Sequence, residues 1–146
     1  MARRPNRATP RTRVFLVDDE PAVRRGLELL LGRDPRLLVC GSASTAAEAL
    51  KSIQTLEPDL VVVDLHLDNG HGYKLLRQLR RCCPRLRLLV FSLQDRPSLA
   101  MAALRAGADG YVTKEEGTEK LLEAIALLVA GQTYVSAAVA GRLPPR

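Results

Sequence analysis

A chain of 146 residues suffices for one domain with a substantial core and is too short for two ordinary ones. Apolar residues at 47% and charged residues at 26% exclude a disordered chain, and no apolar run approaches the roughly 20 residues that span a bilayer. The net charge of +6 points to nucleic acid only weakly, because Arg3, Arg4, Arg7, Arg11 and Arg13 supply +5 of it and leave +1 for residues 14–146.

Taken in chain order, residues 1–12 form a basic leader. Pro5, Asn6, Pro10 and Thr12 predict disorder there, with weak phosphate or anionic-surface contact as its functional reading. An apolar run over 13–17 predicts a first strand, followed by Asp18, Asp19 and Glu20. Pro21 suits the first turn of a helix over 21–31 that Gly32 stops. A second strand is expected over 37–40, then a helix over 44–56 capped by Ser44. The run at 60–63 includes Val61, Val62 and Val63 and ends in Asp64. Such a continuously apolar strand fits a parallel sheet covered on both faces.

A Gly-rich loop holding His66, Asp68 and His71 leads to a helix over 72–82. A fourth strand over 86–91 ends at Ser92, and Pro97 opens a helix over 97–106 that Gly107 ends. A fifth strand over 110–113 ends at Lys114, before a helix over 118–130 and Gly131. Residues 132–146 read as a short tail or truncated linker, in which Ser136 caps a brief helix past Val139 toward Leu143. Alternating strands and helices with short connections give an α/β fold, a doubly wound parallel sheet, with one domain over 13–131.

Cys40, Cys82 and Cys83 are odd in number and lack metal or redox spacing, which fits a reducing cytosol and a cytoplasmic protein. The Arg-rich start is followed by no signal-peptide apolar region. His66 and His71, five apart in a loop, do not have a zinc-helix spacing.

In an open parallel sheet, ligands bind beyond the carboxyl ends of the strands. There the sequence places Asp18, Asp19 and Glu20, Asp64, Ser92 and Lys114. Crowded carboxylates repel and lose hydration, and a hard divalent cation with oxygen ligands relieves both penalties. Mg²⁺ fits, because it keeps several waters, takes one or two carboxylates and bridges to phosphate. Asp64 is then a nucleophile able to form an acyl phosphate, with Lys114 and Ser92 as partners for the phosphoryl oxygens. Taken singly, each of these residues reads as a turn former or a helix cap; four strand ends converging on one edge favour the site.

The segments VFLVDDEPAVRRGLELLL, PDLVVVDLHLDNGHGYKLLRQLR, LLVFSLQDRPSLAMAALRAGADGYVTK and LLEAIALLVAGQTYVS resemble the receiver domains of two-component response regulators. The likeness is greatest to the receiver half of LuxR/NarL-type transcription factors, and it covers about residues 13–136. It implies a flavodoxin-like (CheY-like) sheet of five strands in the order 2-1-3-4-5 with five flanking helices. It makes Asp18 and Asp19 the acidic metal pair, Asp64 the phosphoacceptor and His66 a metal ligand through its carbonyl. Ser92 becomes the switch hydroxyl, Tyr111 the switch aromatic that turns inward on phosphorylation, and Lys114 the phosphate-binding lysine.

The resemblance also implies phosphoryl uptake from the phosphohistidine of a histidine kinase or phosphotransfer protein. The chain would catalyse this uptake and its own dephosphorylation without being a conventional turnover enzyme. A downstream protein target would read the result, and a homodimer is admitted. Three departures stand out. Asp68 and Glu115 occupy places where relatives usually have proline, the latter arguing against a cis peptide, and the helix-turn-helix domain usual in those relatives is not expected within these 146 residues. They motivate two alternatives: a receiver-fold binding module that works without phosphorylation, and the receiver fragment of a DNA-binding regulator. Specific DNA binding by these 146 residues alone is not expected.

Overall fold

The computed structural model describes residues 10–67 and 70–140. Six parallel strands are β1 (Thr12–Val17), β2 (Leu37–Ala43), β3 (Leu60–Val63), β4 (Arg87–Ser92), β5 (Gly110–Thr113) and β6 (Tyr134–Val135). They lie in the order β2-β1-β3-β4-β5-β6. The helices are α1 (Pro21–Gly32), α2 (Ala46–Leu56), α3 (Gly72–Cys82), α4 (Pro97–Ala106), α5 (Thr118–Val129) and the short α6 (Ala137–Ala140).

The strands read as unbroken apolar runs because both faces are covered. In β1 and β3, Phe15, Val17, Val61 and Val63 enter one core cluster with Ile53, Leu75, Leu76 and Leu79. Val14, Leu16, Leu60 and Val62 enter the other with Leu27, Leu31, Ile125 and Leu128. Burying both faces removes most of the apolar surface of the short strands from water, at about 25 cal/mol per Å².

Several boundaries differ from the sequence expectation. Strand β2 runs on to Ala43, and the N-cap of α2 is Thr45 instead of Ser44, its Oγ1 accepting the Glu48 N–H at 3.2 Å. Gly107 (φ +120°) and Gly131 (φ +86°) turn the chain out of their helices, whereas Gly32 is simply the last residue of α1. Among the described residues no peptide bond is cis.

The sheet has one strand more than the five expected. Strand β6 pairs with Gly110 and Tyr111 of β5, the Ser136 N–H donates to the Tyr111 carbonyl at 2.8 Å, and Val139 of α6 is fully buried in the first cluster. The segment read as a tail is thus packed as far as Ala140. The expectations for Leu143 and for the leader before Pro10 lie outside the described residues. No helix among the described residues is long and apolar enough to cross a membrane.

Candidate functional site

Register brings the chemistry together. Val17 pairs with Val63 and Val63 with Val90, so Asp18 and Asp64, which follow Val17 and Val63, leave adjacent strands side by side. The Asp64 N–H donates to the Val17 carbonyl at 3.0 Å, which ties the two ends. Ser92 is paired with Thr113, one residue before Lys114. Asp18, Asp64 and Ser92 are buried at 4, 5 and 0% exposure, while Asp19 and Glu20 are exposed.

Carboxylate oxygens of Asp18, Asp19, Glu20 and Asp64 lie within 4.8 Å of one another. Glu20, which the sequence reading left out of the ligand set, belongs to this group. Neither aspartate caps α1: Asp18 accepts the Glu20 N–H at 2.9 Å, and its carbonyl takes the Arg24 guanidinium at 2.6 Å. The donor set is all oxygen and strongly anionic, which suits a hard divalent cation such as Mg²⁺. Lys114 Nζ stands 3.1 Å from Asp18 Oδ2 and 3.6 Å from Asp64 Oδ2, so one ammonium partly neutralises both buried carboxylates.

Burial pushes the Asp64 carboxyl above the usual carboxylate range, and the nearby Asp18 charge adds to the shift. The His66 N–H, donating to Asp64 Oδ1 at 3.1 Å, and the Lys114 ammonium oppose it. His66 itself is exposed, and its backbone is what reaches the site. Asp68 lies outside the described residues.

Gly72 shapes the loop that carries Asp64 and His66. A Cβ there would stand 2.7 Å from Leu65 Cα and Leu65 O and 2.9 Å from the Asp64 carbonyl, all of them backbone. Overpacking against backbone cannot be relieved by a rotamer change. Gly72→Ala is therefore expected to cost about 1–3 kcal/mol and to weaken Mg²⁺ binding by displacing Asp64. Thermal unfolding with a Mg²⁺ titration checks both, and an unchanged midpoint would remove the packing argument.

Between Ser92 and Tyr111 stands a residue that sequence reasoning missed. The Gln94 N–H donates to Ser92 Oγ at 3.1 Å, and the Tyr111 hydroxyl donates to the Gln94 carbonyl at 2.6 Å. The two switch candidates are thus joined through the backbone of one residue, a role with no side-chain signature. Tyr111 was expected to move inward on phosphorylation, yet its ring already occupies the inner position at 0% exposure. Burial pushes its hydroxyl up to about 12.

Residues 14–126 match the family model of the response regulator receiver domain. The chain is 39% identical over 131 residues to the DNA-binding transcriptional activator DevR/DosR of Mycobacterium tuberculosis, covering 90% of this chain and 60% of that protein. It is 33% identical over 126 residues to the nitrate/nitrite response regulator protein NarL of Escherichia coli, covering 86% and 58%. A crystal structure of a LuxR-family two-component response regulator from an Aurantimonas species superimposes with a TM-score of 0.86 at 36% identity, covering 90% of this chain and 94% of that one. The chain spans about three-fifths of the length of the curated relatives it matches. With the fold, the strand order and the match over residues 14–126 in agreement, this chain belongs to the receiver domain family of two-component response regulators.

Proposed function

We propose that the chain is a phosphoacceptor that takes a phosphoryl group onto Asp64 in a two-component phosphorelay. The observation that carries this reading is the buried Asp64 carboxylate, 3.6 Å from the Lys114 ammonium and within the 4.8 Å carboxylate group. A carboxylate oxygen of Asp64 attacks the phosphorus of a phosphohistidine on a histidine kinase or phosphotransfer protein. The bond to the imidazole nitrogen breaks, and that nitrogen keeps the electron pair and is then protonated.

Asp18, Asp19 and Asp64, with the His66 carbonyl, are the residues assigned to hold Mg²⁺, and Glu20 is near enough to assist. Bound Mg²⁺ supplies neutralisation of the charge that gathers on the phosphoryl oxygens. Lys114 pairs with one of those oxygens in place of its present carboxylate partners, and the Ser92 hydroxyl donates to another. Drawing Ser92 toward the phosphoryl group takes the acceptor from the Gln94 N–H and disturbs the carbonyl on which Tyr111 rests. The change passes to the surface of α4, β5 and α5, where a downstream protein or a second copy reads it. A cytoplasmic location fits this chemistry.

A second reading, that these residues are the receiver part of a longer DNA-binding regulator, is favoured by the coverage of DevR/DosR and NarL. In it the packed body through Ala140 leads onward to the remainder of that protein.

Two measurements test the site. Beryllofluoride with Mg²⁺ is expected to shift the amide resonances of Asp64, Ser92 and Gln94, and unchanged resonances would leave the binding-module alternative. Asp19→Ala is expected to weaken Mg²⁺ binding about tenfold or more and Ser92→Ala to change it little, because only the first removes a hard anionic ligand. The reverse order in a Mg²⁺ titration would reject the ligand assignment.

A further inference from the structure

Positive charge is distributed unevenly within the folded body, and the +1 net charge of residues 14–146 conceals it. Residues 69–94 contain no acidic side chain and six basic ones: Lys74, Arg77, Arg80, Arg81, Arg85 and Arg87. Helix α3 buries Leu75, Leu76 and Leu79 and exposes Lys74, Arg77 and Arg81 on its opposite side. These three are separated by three and four residues, so they are neighbours on one helix face. Arg85, exposed in the turn after the helix, continues the stripe.

Among the described residues, the ion pairs are made elsewhere. Asp109 is taken by Arg80, and neither Glu48 and Glu57 beside α2 nor Asp95 before α4 bridges to the stripe. To no other described group does the side chain of Lys74, Arg77, Arg81 or Arg85 make a hydrogen bond. Like charges at these spacings weaken a helix. An external polyanion is what would relieve them.

The composition of the face selects among polyanions. An amphipathic membrane helix needs apolar residues to insert, yet the apolar side of α3 is buried in the core, and the large exposed hydrophobics Leu29, Leu38, Leu93 and Val129 lie on other elements. A protein interface draws its energy from buried aromatic anchors, and the stripe contains none. Three of its four members are arginines, whose planar fork matches phosphate oxygens in pairs. Lys74 and Arg81 are about 10 Å apart along the helix axis. A duplex presents roughly six phosphate charges over that length.

We propose that the exposed face of α3, with Arg85, is a docking surface for the phosphate backbone of double-stranded nucleic acid. It reads charge and not sequence, and it is separate from the leader arginines and from the Asp64 site.

The probe is a fluorescein-labelled duplex of arbitrary sequence, followed by anisotropy over a salt series with the full chain. In a first variant Arg3, Arg4, Arg7 and Arg11 are all changed to Gln, which removes the charge of the leader without truncation. This variant is expected to keep binding, with a log affinity against log salt slope of about −3 to −4 for four phosphate contacts. Adding Lys74→Gln, Arg77→Gln, Arg81→Gln and Arg85→Gln is expected to weaken binding at least about tenfold near 50 mM salt and to flatten the slope toward zero. Circular dichroism should show an unfolding midpoint no lower than that of the first variant, as relief of like-charge repulsion requires, and Arg77→Glu alone serves in place of the fourfold variant if it unfolds. Loss of binding in the first variant, parallel salt curves in the second, or tighter binding to phosphatidylserine vesicles than to the duplex would each overturn the proposal.

Discussion

Asp64→Asn is expected to reduce phosphoryl uptake from acetyl phosphate and Mg²⁺ to background. The amide that replaces the carboxylate is neutral and cannot form the acyl phosphate. The change also takes one of two carboxylates from Lys114, leaving its 3.1 Å contact to Asp18. The fold should survive, because an amide oxygen can still accept the His66 N–H that now meets Asp64 Oδ1 at 3.1 Å. Stability should hold or rise, since a buried carboxylate beside Asp18 is penalised by burial and by like charge, and the substitution removes both. Intact-mass measurement after incubation with acetyl phosphate, beside a thermal unfolding curve, separates the two effects. Uptake equal to wild type would move the phosphoacceptor elsewhere, and a collapsed unfolding midpoint would make the loss of uptake structural.

The elements that define this site were legible because each apolar run stops abruptly at a polar residue. Val17 gives way to Asp18, Val63 to Asp64, and Phe91 to Ser92, and a parallel sheet delivers successive strand ends to one edge. What stayed hidden has a physical reason in each case. Strand β6 is two residues long, and neither its length nor its half-buried residues carry a period. Gln94 acts through its backbone N–H and carbonyl, which every residue type but proline carries. Gly72 differs from an ordinary loop glycine only in how closely the Leu65 backbone approaches it. Net charge averaged over residues 14–146 erased the basic face of α3, because acids on other elements cancel it in the sum but not in space.

Arg80 is the extreme case, since in sequence it is one of several arginines at the end of a polar helix stripe, whereas in the fold it is a clamp. Its Nε and NH2 donate to the Gly107 carbonyl at 3.1 and 2.7 Å, and its NH1 donates to the Pro84 and Leu86 carbonyls at 2.9 and 2.7 Å. NH2 also meets Asp109 Oδ2 at 2.8 Å, which in turn accepts the Leu88 N–H at 2.9 Å. One guanidinium thereby joins the end of α3, the start of β4, the turn after α4 and the approach to β5. The turn after α4 packs so closely that a Cβ on Gly107 would stand 2.8 Å from Arg80 Cβ. Because the pair is about three-quarters buried, at 28% and 23% side-chain exposure, solvent replaces these bonds poorly when the donor is removed. Arg80→Ala is expected to cost about 2–4 kcal/mol, combining lost charge-assisted bonds with carbonyls and a carboxylate left without their donor. For a domain of this size that is a fall of roughly 6–15 °C in the unfolding midpoint. Arg80→Lys should recover less than half of the loss, since a single ammonium cannot reach four acceptors spread around a planar fork. The clamp sits at the amino ends of β4 and β5, opposite the carboxylate site, so Mg²⁺ affinity measured well below the midpoint should be unchanged in both variants. A shift under about 3 °C in Arg80→Ala, or full rescue by lysine, would show that the carbonyl network contributes little to the stability of the fold.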